Sequence, residues 1–172
     1  QEMARKSPGA GITAMQMTTA LRTGVMIPLH KQEADGNKTL ASLIRADKGG
    51  LIYQPIIGVH RDVAQIDFAS MYPSIMVHHN VSPETMGKEN AEQGLIPQTL
   101  QPLLEKRLQL KELLTELDER DCQFKTMKQR SAALKWLLVV CFGYLGYKNA
   151  RFGKIESHEM VTAISRELML QA

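Results

Sequence analysis

The sequence predicts an α+β fold that is rich in helix. Eight leucines recur at helical spacing across residues 97–117, and a second helical run follows at 123–142. Short apolar runs bounded by turn residues indicate strands at 51–53 and 63–68. Because only the short polar segment 118–121 separates the long helical runs, we expect them to pack as an antiparallel hairpin.

The N-terminal half is predicted to alternate short elements with polar loops. Residues 1–11 end in Ser-Pro-Gly-Ala-Gly and indicate a frayed terminus, and 12–23 follow as a loosely periodic helix. A second, short helix is predicted over 40–46. Pro73 is favoured in the first turn of a helix, so we expect a further helix over 74–79.

Beyond the long helices the chain is predicted to turn and form one more helix. The segment 143–147 contains two glycines and is expected to end the second long helix. A short strand over 152–155 and a final helix over 156–170 complete the predicted elements.

The amino-acid composition limits the classes of protein to which this chain can belong. A chain of 172 residues with 44% hydrophobic residues can form a buried core, and its net charge of +3 is compatible with nucleic acid without indicating it. Cys122 and Cys141 have no metal-ligand spacing and are too few for a disulfide scaffold, so we expect a reducing intracellular compartment. No signal peptide or membrane-spanning run is visible, which predicts a cytoplasmic protein without membrane contact.

Three cations stand where the helical pattern predicts apolar side chains. Lys135 lies within the apolar run 132–142, and Arg107 and Lys111 fall one turn apart on the leucine face of the first long helix. Such side chains either extend along apolar surface to water or meet an anion from outside. Because no acidic residue falls on the leucine face, we favour a bound polyphosphate, which suits Arg and Lys.

Asp67 is the candidate metal ligand. It lies in the predicted strand 63–68 and precedes a turn into the next helix. Mg²⁺ takes one or two protein carboxylates together with water and phosphate oxygens, and the backbone amides of Ala69, Ser70 and Met71 precede a helix N-terminus that attracts phosphate. Taken alone, Asp67 also fits an ordinary turn or capping carboxylate.

A long stretch around this carboxylate resembles a known family. The segment 67–75, Asp-Phe-Ala-Ser-Met-Tyr-Pro-Ser-Ile, and its continuation at 79–85, His-Asn-Val-Ser-Pro-Glu-Thr, are similar to the first catalytic motif of B-family DNA polymerases. The two long helices resemble that family's fingers, with Leu-Leu-Glu-Lys-Arg at 103–107 in the first and the second motif at 135–147. The resemblance covers roughly residues 49–170.

The resemblance implies a domain layout and a reaction. Residues 1–96 would form the first part of a palm, 97–147 a helical fingers hairpin, and 148–172 a return into the palm. The reaction would be two-metal transfer of dNTPs to a primer 3′ end, with two Mg²⁺ ions in a complete site. Primer–template DNA and dNTP would be the partners, a sliding clamp or other replication proteins are further candidates, and the location would be cytoplasmic and nucleoid-associated.

The resemblance also implies roles for individual residues. Asp67 would be the catalytic residue and would bind metal together with the carbonyl of Phe68. Tyr72 would lie under the incoming sugar and exclude a 2′-hydroxyl. The nucleotide would be bound by Ala69, Ser70, Met71, Tyr72, Arg107, Lys111 and Lys135. The DNA contacts would be Gly49, Gly50, Gly143 and Tyr144.

The sequence departs from the family pattern at several positions. Val139 and Val140 stand where active relatives carry Asn-Ser, and neither side chain can hydrogen-bond a nucleotide. Asp47 puts a negative charge where the family has a tyrosine that contacts the template. No Asp-Thr-Asp-like third motif, which would supply the second metal aspartate, occurs before Ala172.

Two explanations account for the missing third motif. The chain stops inside a predicted amphipathic helix just short of where the motif is expected, which favours a fragment that is inactive by itself over a natural remnant. The altered second motif resembles a divergent archaeal branch of the family whose motifs have decayed. The alternative function is therefore a catalytically decayed homologue that acts as a DNA-binding or replisome scaffold. An unrelated helical binding module with a coincidental match is the third interpretation.

Overall fold

The computed structural model describes residues 7–29, 39–41, 54–147 and 149–172. The helices whose full extent lies in these ranges are α1 (Pro8–Thr23), α2 (Met71–His78), α3 (Leu95–Glu116), α4 (Cys122–Leu145) and α5 (Ile155–Gln171). Residues 40–41 are helical as well. No β-strand occurs in the described ranges, so the helix-rich part of the predicted fold is confirmed and the α+β class is not.

Helices α3, α4 and α5 pack around the short helix α2. The long helices α3 and α4 contact each other, and α1 packs against both of them. Helix α2 contacts α3, α4 and α5, so the predicted first motif lies at the junction of the remaining elements. Every helix contributes to one hydrophobic core, whose buried members are Ile12, Ile75, Met76, Val81, Ile96, Leu100, Leu104, Leu138, Cys141, Leu145 and Val161.

Helix α1 begins earlier than predicted. Ser7 is its N-cap residue, and the Ser7 hydroxyl accepts a hydrogen bond from the Ala10 amide at 3.4 Å. Pro8 occupies the first helical position, where its missing N–H costs nothing. The prediction of a frayed end through residue 11 was therefore wrong, and the overlooked signal was the Ser-Pro pair itself.

Two of the predicted strands are not present. Residues 63–68 have no regular secondary structure, and Val63 and Ile66 are 74% and 79% exposed. A strand needs a neighbour to pair its backbone groups, and the described part of the chain supplies none here. Phe152 lies in a turn and Ile155 begins α5. The predicted strand at 51–53 lies outside the described residues, as does the predicted short helix beyond residue 41.

Helix α4 continues beyond its predicted end. It passes through Gly143 to Leu145, and Gly146 takes the C-cap position. Leu145 is 1% exposed and belongs to the core, so burial of this side chain stabilises the last turn despite the nearby glycines. Within the described ranges, no helix combines the length and the apolar character needed to cross a membrane.

Candidate nucleotide-binding site

The loop that carries Asp67 turns directly into α2. Ser70 is the N-cap residue and has a left-handed backbone, with φ 55° and ψ 48°. The Ser74 hydroxyl donates to the Ala69 carbonyl at 2.9 Å, and the Ser74 amide donates to the Ser70 carbonyl at 2.9 Å. These bonds connect the loop before α2 to the first turn of that helix. Asp67 is exposed, and Phe68 beside it is 37% exposed, so both lie at the open side of this loop.

The first amides of α2 have no capping side chain. An N-cap serine normally accepts a hydrogen bond from the amide of the second or third helical residue. The third helical residue here is Pro73, which has no N–H, and Ser70 makes no capping hydrogen bond. The amides of Met71 and Tyr72 are therefore available to an acceptor at the positive end of the helix dipole.

The Ser70 hydroxyl is instead joined to Arg107 of α3. Nη1 of Arg107 donates to Oγ of Ser70 across a sequence separation of 37 residues. Nε of the same guanidinium is buried and has no hydrogen-bond partner among the described residues. A buried donor without a partner is costly, so this arginine retains donor capacity for an acceptor beside the start of α2. The structure thus brings Arg107 to the predicted first motif.

The other two predicted cations are not buried. Lys111 and Lys135 are exposed, and beside Lys135 the side chains of Trp136 and Val139 are 65% and 50% exposed. Of the two alternatives that the sequence left open for Lys135, the exposed side chain agrees with the one in which the charge reaches water. The buried stripe of α4 runs along a different line and consists of Ser131, Leu138, Cys141 and Leu145.

Tyr72 is the first of three stacked rings. Its ring lies 4.3 Å from that of Phe142, at an interplanar angle of 22°. Phe142 lies in turn 4.2 Å from the imidazole of His158, at 20°. The three residues come from α2, α4 and α5, so the stack joins the start of α2 to α4 and α5. The sequence did not predict this link, since ring stacking between distant positions has no local sequence signal.

The predicted DNA contacts lie in different environments. Gly143 is exposed, and the space that a Cβ would occupy there is open. Tyr144 is half-buried with its ring against Gly9 of α1, where a Cβ would overlap the ring, and its centroid is 5.5 Å from that of Tyr147. Tyr144 therefore packs α4 onto α1, whatever else it contacts. Gly49 and Gly50, like the departure at Asp47, lie outside the described residues.

The segment after α2 has a structural role that the sequence analysis missed. The Ser82 hydroxyl accepts from the Ile96 amide at 3.2 Å and donates to the Glu84 carboxylate at 2.8 Å. Glu84 also accepts from the Leu95 amide at 2.5 Å. These bonds satisfy backbone donors at the start of α3 and fix that helix against the loop that follows α2. Serine and an acid are common helix-capping types, but their target lies more than ten residues away in the chain.

Asp67 fits a role as a magnesium ligand. Asp67 is exposed, and Phe68, which is 37% exposed, follows it in the same loop. Mg²⁺ commonly takes one or two protein carboxylates and completes its shell with water and phosphate oxygens, so this donor set is suitable. Among the described side chains, no group of three or more His, Cys, Asp or Glu residues could hold a metal ion.

Comparison with known proteins relates the whole site to one family. The model of DNA polymerase family B matches residues 8–93 and 87–172. DNA polymerase 2 of Saccharolobus solfataricus is 37% identical over 179 aligned positions, which cover 98% of this chain and 26% of that protein. DNA polymerase 1 of Pyrococcus abyssi is 29% identical over 182 positions, covering 96% and 23%.

A solved structure gives the same result. The family B DNA polymerase from the hyperthermophilic archaeon Pyrobaculum calidifontis superposes with a TM-score of 0.67 at 28% identity, over 96% of this chain and 23% of that one. The chain thus spans about a quarter of the length of these relatives. The family predicted from the first motif is confirmed, and the chain belongs to DNA polymerase family B.

Proposed function

We propose that this chain forms the palm and fingers part of a DNA-directed DNA polymerase, which adds dNTPs to a primer 3′ end. The observation that carries the proposal is the hydrogen bond from Arg107 to Ser70, because it holds a cation of α3 at the loop of Asp67. Membership of the family supports the reaction class. In this proposal residues 1–96 and 148–172 belong to the palm, and 97–147 form an antiparallel fingers hairpin.

The triphosphate would lie at the start of α2. The amides of Met71 and Tyr72 and the guanidinium of Arg107 would donate to its oxygens, with the backbone of Ala69 and Ser70 shaping the loop. Such fixed donors stabilise the charge that develops during phosphoryl transfer.

Asp67 and the carbonyl of Phe68 would hold magnesium, with two ions in a complete site. Bound Mg²⁺ neutralises phosphate charge and makes the attacking hydroxyl easier to deprotonate. One carboxylate is insufficient for two ions, so we expect residues 1–172 by themselves to catalyse no templated extension.

The exposed cations would act after a movement of the helix pair. Lys111 and Lys135 reach solvent from α3 and α4, and closure of the pair would bring them to the triphosphate. Tyr72 would lie beneath the incoming sugar and exclude a 2′-hydroxyl. Primer–template DNA and dNTP are the proposed partners, and a cytoplasmic, nucleoid-associated location follows from them.

A second function, a DNA-binding or replisome scaffold, is favoured by Val139. This side chain is 50% exposed on α4, at a position where a polar group would be needed to hydrogen-bond a nucleotide. A half-exposed valine can contact a ligand but cannot orient it. A decayed polymerase would keep the fold and lose the ability to bind a nucleotide productively.

Primer extension by the full-length protein with Mg²⁺ and dNTP tests the first proposal. We expect Asp67→Asn to reduce kcat about 100-fold or more, whereas Asp62→Asn, an exposed control nearby, leaves the rate unchanged. Arg107→Ala should raise KM for dNTP about 10- to 100-fold, since a charge-assisted hydrogen bond is lost. Arg120→Ala, an exposed control between the long helices, should have no effect.

A binding experiment separates the two functions. A fluorescent label at position 136, which is 65% exposed, would report movement of α4 during titration with Mg²⁺-dNTP. A saturable change supports nucleotide binding. Absence of both this change and primer extension, with DNA binding retained, would leave the scaffold as the function.

A further inference from the structure

The ring of Phe142 is held from two sides. Tyr72 and His158 each lie nearly parallel to it, with centroid distances of 4.3 Å and 4.2 Å. Two rings at these distances do not fit side by side on one face of a phenyl ring, so they occupy opposite faces. If the imidazole moves, Phe142 loses the ring that packs on one of its faces. The opposite face of Phe142 is the one that contacts Tyr72.

His158 is itself fixed at the end of α4. Its Nδ1 lies 3.3 Å from the carbonyl oxygen of Phe142. That carbonyl is in the last turn of α4, where backbone acceptors have no partner within the helix, and a carbonyl can only accept, so Nδ1 carries the hydrogen. On the same side, a Cβ at Gly146 would lie 3.0 Å from Cγ and Nδ1 of the imidazole, so there is little room for the ring to move.

We infer that His158 is a positioning residue for Tyr72, acting through Phe142, and that it thereby determines how strongly ribonucleotides are excluded. The inference rests on the proposed function, in which Tyr72 lies beneath the sugar. A tyrosine ring held in one orientation closes the space that a 2′-hydroxyl needs. A ring that has lost its support adopts other orientations and admits the hydroxyl.

The test compares dNTP with rNTP incorporation by the full-length protein. A stacked aromatic pair corresponds to roughly a two- to tenfold change in an equilibrium, so His158→Ala should lower the kcat/KM ratio of dNTP to rNTP by about that factor. His158→Phe retains the ring and should restore most of the ratio. His78→Ala, a control at an exposed histidine of α2, should leave it unchanged.

A fluorine label at position 72 provides a readout that does not depend on activity. With 3-fluorotyrosine at this position, His158→Ala should shift and broaden the fluorine signal, whereas His78→Ala should not. An unaltered ratio in an active His158→Ala enzyme overturns the inference and leaves the polymerase proposal intact. If the wild type incorporates neither nucleotide, the polymerase proposal fails and the fluorine signal decides the positioning role, which an unchanged signal would refute.

Discussion

The two ends of the long helix pair differ sharply in burial. The base of the pair is the end where α3 begins and α4 finishes. There, the first ten residues of α3 contain six buried side chains, namely Leu95, Ile96, Pro97, Thr99, Leu100 and Leu104. At the tip, residues 111–130 contain none. The leucine repeat runs through both ends, yet Leu100 is 0% exposed and Leu113 is 43% exposed. A regular apolar pattern therefore identifies the helix without stating how much of it is covered.

Polar contacts follow the same division. At the base, the amides at the start of α3 donate hydrogen bonds to side chains of the preceding loop. The acceptors are Ser82, Glu84 and Asn80, at 3.2, 2.5 and 2.7 Å. At the tip, Asp118 and Asp121 accept from amides two residues away, so their bonds are local. A helix pair anchored at one end can rotate about its base, which is the movement that the proposed fingers closure requires.

Cysteine reactivity should show the largest difference between base and tip. Cys141 is buried at the base, and burial raises its pKa from 9.0 to about 12, whereas Cys122 is exposed at the tip. The thiolate is the reactive form, so at pH 8 only about one Cys141 in 10⁴ is ionised, even before access is considered. We expect mass spectrometry after iodoacetamide treatment of the native protein to show modification at Cys122, with Cys141 slower by ~1000-fold or more. Comparable rates would show that the base opens readily.

The next largest effect should come from the core. Leu100→Ala removes a fully buried side chain and should lower the free energy of unfolding by about 2–5 kcal/mol. Leu113→Ala makes the same chemical change in the same helix, but at the exposed tip it should cost about 1 kcal/mol or less. Urea unfolding of both variants measures the difference. Equal losses would mean that the tip is covered in solution.

The sequence predicted those features that depend on local pattern. The first long helix follows from leucine spacing, and the proximity of Arg107 to Ser70 follows from placing both within one family's motifs. The sequence left open whether Lys135 reaches water or meets an anion, because an apolar composition does not specify which face of α4 another element covers. The strand at 63–68 failed for a related reason, since a strand depends on a partner that no local pattern identifies.

Features that join distant residues were beyond the sequence. The Tyr72, Phe142 and His158 stack depends on how α2, α4 and α5 pack, and none of these rings is unusual in its own segment. The capping of α3 by Ser82 likewise depends on the path of the intervening loop. Such contacts position the candidate site, so the sequence could suggest residues for its chemistry but not the contacts that hold those residues in place.

Removing the capping contact should have a moderate effect confined to the base. Ser82→Ala leaves the buried Ile96 amide without its acceptor and should cost about 1–3 kcal/mol in unfolding free energy. Amide hydrogen exchange at Ile96 should accelerate as well. Thr115→Ala is the matched control at the tip, where the hydroxyl donates to the Glu112 carbonyl at 2.6 Å in an exposed position, and its cost should be about 0.5 kcal/mol or less. Similar costs at the two sites would remove the distinction between anchored and local hydrogen bonds.

The smallest change in stability is expected at Lys135. A substitution there separates an effect on the free energy of unfolding from an effect on nucleotide binding. Because this side chain is exposed, Lys135→Ala should alter the free energy of unfolding by about 0.5 kcal/mol or less. A buried unpaired ammonium would give the opposite result, since its removal would stabilise the protein. If Lys135 contacts triphosphate after closure, the same variant should weaken dNTP binding by the full-length protein about tenfold. Lys125→Ala, which removes an exposed lysine of α4 nearer the tip, should change neither quantity. Loss of affinity without loss of stability would assign the exposed face of α4 to the nucleotide, and equal affinity in both variants would show that this face does not close on it.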